Sequence, residues 1–178
     1  MRAASLPRTA ARAALASAAA VAITVGLAGS ASAATSTRTV TDGATYNLSV
    51  TAPSTLAAAG QNVTVTGSGF NSAKGIYVSL CAVNGAQGAS KPTPCLGGSD
   101  QAGTTGASHW VNNTFGGTLP NTSVFGTGGS FSVTVHVKAD LGNGQICGDT
   151  VECAIVTRAD HFNSANRKYD VHVPVTFN

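Results

Sequence analysis

Between Phe131 and Lys138 the chain alternates without a break: Phe131, Val133, Val135 and Val137 are apolar, and Ser132, Thr134, His136 and Lys138 are polar. Strand side chains point to opposite faces in turn, so this pattern describes a strand with one buried and one wet face. Such a strand is not stable alone and needs neighbours and a second layer. Weaker versions of the pattern recur along the chain. Tyr46–Thr51 turns Leu48 and Val50 inward, and Asn62–Thr66 does the same with Val63 and Val65. Ile76, Val78 and Leu80 mark a third strand, placing Tyr77, Ser79 and Cys81 on its other face. Val151–Thr157 is a further strand, and Val171, Val173, Val175 and Phe177 define the last. Pro174 cannot donate to a ladder, which sends that last strand to an edge or a bulge. Strand formers and turn formers dominate, and no amphipathic helix follows residue 33. Six or seven short strands separated by turn signals make an all-β antiparallel sandwich of immunoglobulin-like type the expected fold.

The first residues are of another kind. Arg2, Arg8 and Arg12 flank and precede an apolar, small-residue run from about Ala13 to Leu27, followed by Ala31-Ser32-Ala33. That is the order of a secretory signal peptide, with cleavage expected after Ala33. A membrane-spanning helix would need about 20 strongly apolar residues, and this run is Ala-rich. The expected organisation is therefore a signal at 1–33, a flexible Thr-rich lead-in at 34–43, and one domain at 44–178. A Gly- and Pro-rich insertion interrupts the domain at about 84–129, too long to be structureless in a compact fold. Without the leader, seven basic residues face seven acids, so the formal charge of +3 belongs to the leader. Direct nucleic-acid binding is not expected from such a balance. No transmembrane anchor follows the leader, and the expected product is extracellular, with a cell-wall partner as the route to any surface association.

Four cysteines in an exported chain imply two disulfides and allow three pairings. Cys81 with Cys95 and Cys147 with Cys153 is favoured, because each closes a short Gly- or Pro-containing loop. Neither spacing matches a zinc knuckle, and no histidine lies at a matching interval.

The chain carries no Gly-x-Ser-x-Gly elbow, phosphate loop, His-Glu-x-x-His pair or dinucleotide fingerprint, so an enzyme is not expected. Asp160-His161 reads as a polar turn before the last strand, and His136 and His172 as outward residues on wet strand faces. Trp110, Phe115 and Phe125 fall in the one insertion. They either line an apolar pocket where loops cluster or plug the open end of the core.

The segments Val63-Thr-Val-Thr-Gly-Ser-Gly-Phe70, Ile76-Tyr-Val-Ser-Leu-Cys-Ala-Val83, Val151-Glu-Cys-Ala-Ile-Val-Thr157 and Val175-Thr-Phe-Asn178 resemble the neocarzinostatin family of secreted actinobacterial apoproteins. The resemblance covers roughly residues 46–83 and 131–178, with both cysteine loops in matching order. It implies a seven-stranded immunoglobulin-like sandwich that carries an apolar enediyne chromophore without a covalent bond and requires no other cofactor. The released chromophore, not the protein, would then be the antibacterial agent that damages DNA. Where carriers of that family place a bulky aromatic two residues after the first cysteine, this chain has Val83. Their polar cleft positions after the last cysteine correspond to Ala154 and Arg158. The chain between Lys138 and Cys153 is shorter than the family's aromatic-bearing hairpin, and any pocket would draw on Trp110, Phe115 and Phe125 of the insertion. The ending also looks like the tails of surface modules that share the sandwich without a chromophore, which makes a structural or interaction domain the alternative.

Overall fold

The computed structural model describes Met1 and residues 32–100 and 102–178. Most of the expected leader therefore lies outside the described residues. The chain forms β1 (Ala33–Asp42), β2 (Ala44–Pro53), β3 (Thr55–Leu56), β4 (Gln61–Ser68) and β5 (Ile76–Ala82). The insertion contributes β6 (Ser108–Val111) and β7 (Thr122–Ser123), as expected of a segment too long to be structureless. Then follow β8 (Phe131–Val137), β9 (Asp140–Gly142), β10 (Gln145–Ile146), β11 (Cys153–Ala159), β12 (Val171–Pro174) and β13 (Thr176–Phe177). Among the described residues the one helical element is a single 3-10 turn, His161–Asn163.

Two antiparallel sheets face each other. One has the order β1-β2-β4-β8, the other β12-β11-β5-β6-β7 with β6 and β7 parallel. Setting aside the two insertion strands, seven strands make the sandwich, and the chain passes between sheets from β4 to β5 and from β8 to β11. This is the immunoglobulin-like arrangement the patterning predicts. Between the layers, Val133 and Val135 of β8 meet a core that includes Val78 and Leu80 of β5 and Ile155 of β11. Phe125 closes one end of this core, its ring 6.2 Å from Phe70 and 6.5 Å from Phe131.

The lead-in expectation at 34–43 is overturned. These residues form β1, paired with β2 in register from Ala33↔Pro53 to Asp42↔Ala44. The turn has Gly43 at φ +79°, a left-handed conformation that glycine adopts without a Cβ penalty. The segment reads as polar because an edge strand with a wet face needs few apolar residues, and only Val40 of β1 is fully inward. Arg38 fastens this edge to the other sheet, donating from Nη1 to the carbonyls of Arg167 at 2.6 Å and Asp170 at 2.9 Å.

Two boundaries also move. β11 starts at Cys153 rather than Val151, because Val151 bridges back to Cys147 inside the small disulfide loop. The last strand is split: β12 is the sheet edge and ends on Pro174, and β13 pairs with β3 instead. The chain between Lys138 and Cys153 contains the short β9–β10 pair.

Candidate ligand sites on the five-stranded sheet

The two faces of the five-stranded sheet are both covered. All seven residues of β5 are buried, and six of the seven in β11. One face belongs to the core. The other carries Tyr77, Ser79 and Cys81 of β5, opposite Arg158, Val156 and Ala154 of β11, with Trp110 and Ser108 of β6 on one side and His172 and Pro174 of β12 on the other. Cys81, Ala154 and Val156 form a second apolar cluster here, with Val83 and Cys95 against it.

The insertion is what covers this face. Cys95 is bonded to Cys81, and Thr93, Pro94 and Leu96 hydrogen-bond to the backbone of Leu80 and Ala82. Gln87 reaches the far edge, where its Oε1 accepts from the His172 amide at 3.0 Å. Residues 84–91 thus form a strap from the end of β5 to β12. Both disulfides follow the expected local pairing, Cys81–Cys95 and Cys147–Cys153.

The strap divides the surface into separate clefts. A cleft of about 630 Å3 contains Val83, Ala86 and Gln87 on the strap side and Ala154, His172, Pro174 and Val175 on the sheet side. A smaller one of about 230 Å3 contains Tyr77, Lys91, Arg158 and Ser164. The sequence-predicted residues Val83 and Ala154 therefore meet, and Arg158 does not join them. Its guanidinium lies 5.7 Å from the centre of the Tyr77 ring, and burial pulls its pKa below the ordinary value.

Trp110, Phe115 and Phe125 do not share a pocket. Phe125 plugs the core from the inner face. Trp110, only 4% exposed, lies on the outer face near the start of β5, its ring 6.0 Å from Tyr77 and 5.7 Å from Phe115. Trp110 Nε1 donates to Asp160 Oδ2 at 3.1 Å, and Asp160 Oδ1 accepts from the Phe162 amide. A Cβ at Gly75 would collide with the Asp160 carboxylate, so glycine permits this close approach. The turn read as merely polar at Asp160-His161 is thus a buried anchor for the tryptophan, extended by the Tyr77 hydroxyl at 2.7 Å from His161 Nδ1. Beside it a groove of about 450 Å3 is bordered by Phe115 and Phe162.

His172 is a further correction: it points away from the core but is buried under the strap, not on a wet face. Its Nε2 has no hydrogen-bond partner among the described residues, and burial, then Arg38, holds its pKa below the ordinary value. His136 is hydrogen-bonded to Asn62 on the outer face of the four-stranded sheet. Sequence reasoning missed His172, Gln87 and Phe162 as site residues. Alternation placed His172 on the correct face, but nothing local announces that a strap 85 residues earlier in the chain covers it.

Among solved structures the chain is similar to macromomycin. The two are 18% identical with a TM-score of 0.41, over 82% of this chain and 100% of that one. Nothing about this chain's ligand follows from an overlap of that size. No protein-family model matches the chain, and no curated protein does. Among the described residues no group of three or more His, Cys, Asp or Glu is arranged to hold a metal ion, and no helix is long and apolar enough to cross a membrane.

Proposed function

We propose that the protein is a secreted, non-catalytic binding protein that holds an apolar small molecule in the cleft formed by Val83, Ala154, His172 and Pro174. The observation that carries this reading is the meeting of Val83 and Ala154, two positions singled out by the sequence resemblance, in one cleft of about 630 Å3. That size suits a small-molecule ligand, and mostly apolar walls with a few fixed polar groups are what such sites require. Here the polar groups are His172, whose Nε2 has no hydrogen-bond partner among the described residues, and the side chains of Gln87, Ser36 and Glu152. By the same resemblance the ligand is an antibacterial chromophore, with DNA damage a property of the released molecule.

The test is titration with 8-anilinonaphthalene-1-sulfonate, followed by its fluorescence, on the wild type and on Val83→Trp. Saturable enhancement in the wild type, lost in the variant with an unchanged unfolding midpoint, supports the reading. Equal enhancement in both removes it. Protein purified from its producing cells is further expected to carry an apolar, light-absorbing molecule.

A second reading, a cell-surface interaction module without a chromophore, is favoured by the exposed Phe115 and Phe162 at the other end of β5, which are 41% and 69% exposed. It predicts retention of the protein in the cell-wall fraction.

A further inference from the structure

We propose that the groove at the start of β5 is a saccharide site, taking a pyranose ring of gluco configuration against Phe115 and Phe162. The two rings are stacked, with centroids 6.2 Å apart and planes 25° from parallel, and both are exposed. Neither is held loosely: Phe115 stacks on buried Trp110, and Phe162 lies 4.1 Å from the His161 ring. A fixed, solvent-facing pair of stacked rings is an unusual use of aromatic area, which otherwise favours burial.

Apart from Ala73, Gly75 and Ala159, the rest of the groove is polar. Ser72, Lys74, Asn113, Thr114 and Asn163 line it with Phe115 and Phe162. The Ser72, Lys74, Thr114 and Asn163 side chains make no hydrogen bond among the described residues, and Asn113 uses only its Oδ1, which accepts from the Phe125 amide at 2.9 Å. Asn112 on the same wall is buried, with Oδ1 accepting from the Thr114 and Phe115 amides and Nδ2 unpaired among the described residues. This composition does not suit an apolar ligand, which would leave these donors and acceptors desolvated and unpaired. It suits a molecule with one apolar face and a rim of hydroxyls. A gluco-configured pyranose is such a molecule: its equatorial hydroxyls leave flat C–H faces that stack on aromatic rings, while its edge donates and accepts hydrogen bonds. The groove's volume, about 450 Å3, lies within the range of small-molecule sites.

The site shares no lining residue with the Val83 cleft, so the two readings fail independently. Binding is measured by Trp110 fluorescence and by calorimetry with cellotetraose and with chitotetraose, using adenine as a flat, non-saccharide control. The expected result is saturable binding of at least one tetrasaccharide, weakened about tenfold or more in Phe162→Ala. Because Phe162 is mostly exposed, that variant retains its unfolding midpoint. Asn113→Ala weakens binding by a smaller factor, and Val83→Trp leaves it unchanged. No binding of either tetrasaccharide up to about 10 mM overturns the proposal. So does binding indifferent to Phe162→Ala, and so does adenine binding as tightly as the sugars.

Discussion

The two sheets share one core but treat their outer faces in opposite ways. In β4 and β8, inward valines alternate with residues that face solvent, such as Thr64 and Thr134. In β5 and β11, the residues that alternate with the core positions are buried as well, except the half-buried Arg158. The first sheet is a wall. The second is the middle layer of three, with residues 84–96 of the insertion as the outer one, and every cleft described as a candidate site has a wall contributed by this sheet or by the loops at its ends. Function is expected where a sheet face is covered imperfectly, since gaps between layers are the clefts.

A charge introduced on each outer face gives the most severe test of this difference. Thr134→Asp on β8 enters water and should change stability by no more than about 0.5 kcal/mol. Ser79→Asp on β5, where the serine is 1% exposed, buries an unpaired carboxylate and should cost several kcal/mol, about 3 or more. Urea midpoints of the two variants read the contrast directly, and equal shifts would mean that the insertion does not seal the second sheet.

The strap depends on its disulfide. Closing the 14-residue separation between Cys81 and Cys95 should stabilise the chain by about 3 kcal/mol through the unfolded state. The double variant Cys81→Ser, Cys95→Ser should therefore lower stability by about that amount and also make the Val83 cleft lose its probe binding, because the strap supplies one wall. Retained probe binding in a folded double variant would show that the sheet alone forms the site.

How much of this was legible in the residues follows from the same contrast. Alternation in Phe131–Lys138 and Asn62–Thr66 reports a wet outer face, and the strands run over Phe131–Val137 and Gln61–Ser68, within one or two residues at each end. β5 also alternates in sequence, with Tyr77 and Ser79 between aliphatic residues, and that alternation correctly assigned faces. It did not disclose that the second face is dry, because Tyr, Ser, Cys and Ala are compatible with either environment. β1 was read as loop for the complementary reason: an exposed edge strand of Thr and Ser has almost no apolar signature. The cysteine spacings gave the local pairings, yet the division of Val83 and Ala154 from Arg158 depends on where Gln87 and Lys91 lie across the sheet, and no local pattern encodes it.

The join between the two sheets holds a titratable group. Asp170 has a fully buried side chain, paired with Arg167 at 2.9 Å, and its Oδ1 has no hydrogen-bond partner among the described residues. Burial pushes its pKa from 3.8 up to about 6, against the pull of Arg167, Arg38 and Arg158. In that window the folded protein holds a proton that the unfolded chain has released. The stability from this group is full below about pH 3.8 and is lost as pH rises through 6, by about 3 kcal/mol. Asp42, held below its ordinary value by hydrogen bonds from Tyr169 and Lys168, has the opposite sign, so wild type alone would mix the two. The stability difference between wild type and Asp170→Asn, from denaturation at several pH values between 4 and 7, should therefore fall as pH rises. A difference that rises instead would mean that the arginines outweigh burial.

The last comparison is at the tryptophan anchor, on the covered side of the second sheet. Asp160→Asn has one acceptor oxygen where the carboxylate uses two, so it keeps either the Trp110 Nε1 bond or the Phe162 amide bond and sets an NH2 donor against the other N–H, at a cost of about 1–3 kcal/mol. The spectroscopic effect should be plainer than the thermodynamic one. Trp110 is the chain's single tryptophan, and the loss of the carboxylate 3.1 Å from its indole nitrogen should shift its emission. Thr134→Asp, on the far sheet, should leave the emission unchanged. An emission shift in Asp160→Asn with Phe162 still competent to bind sugar would separate the indole's anchor from the aromatic surface above it. Loss of both together would mean that Asp160 holds the 3-10 turn, and with it Phe162, in place.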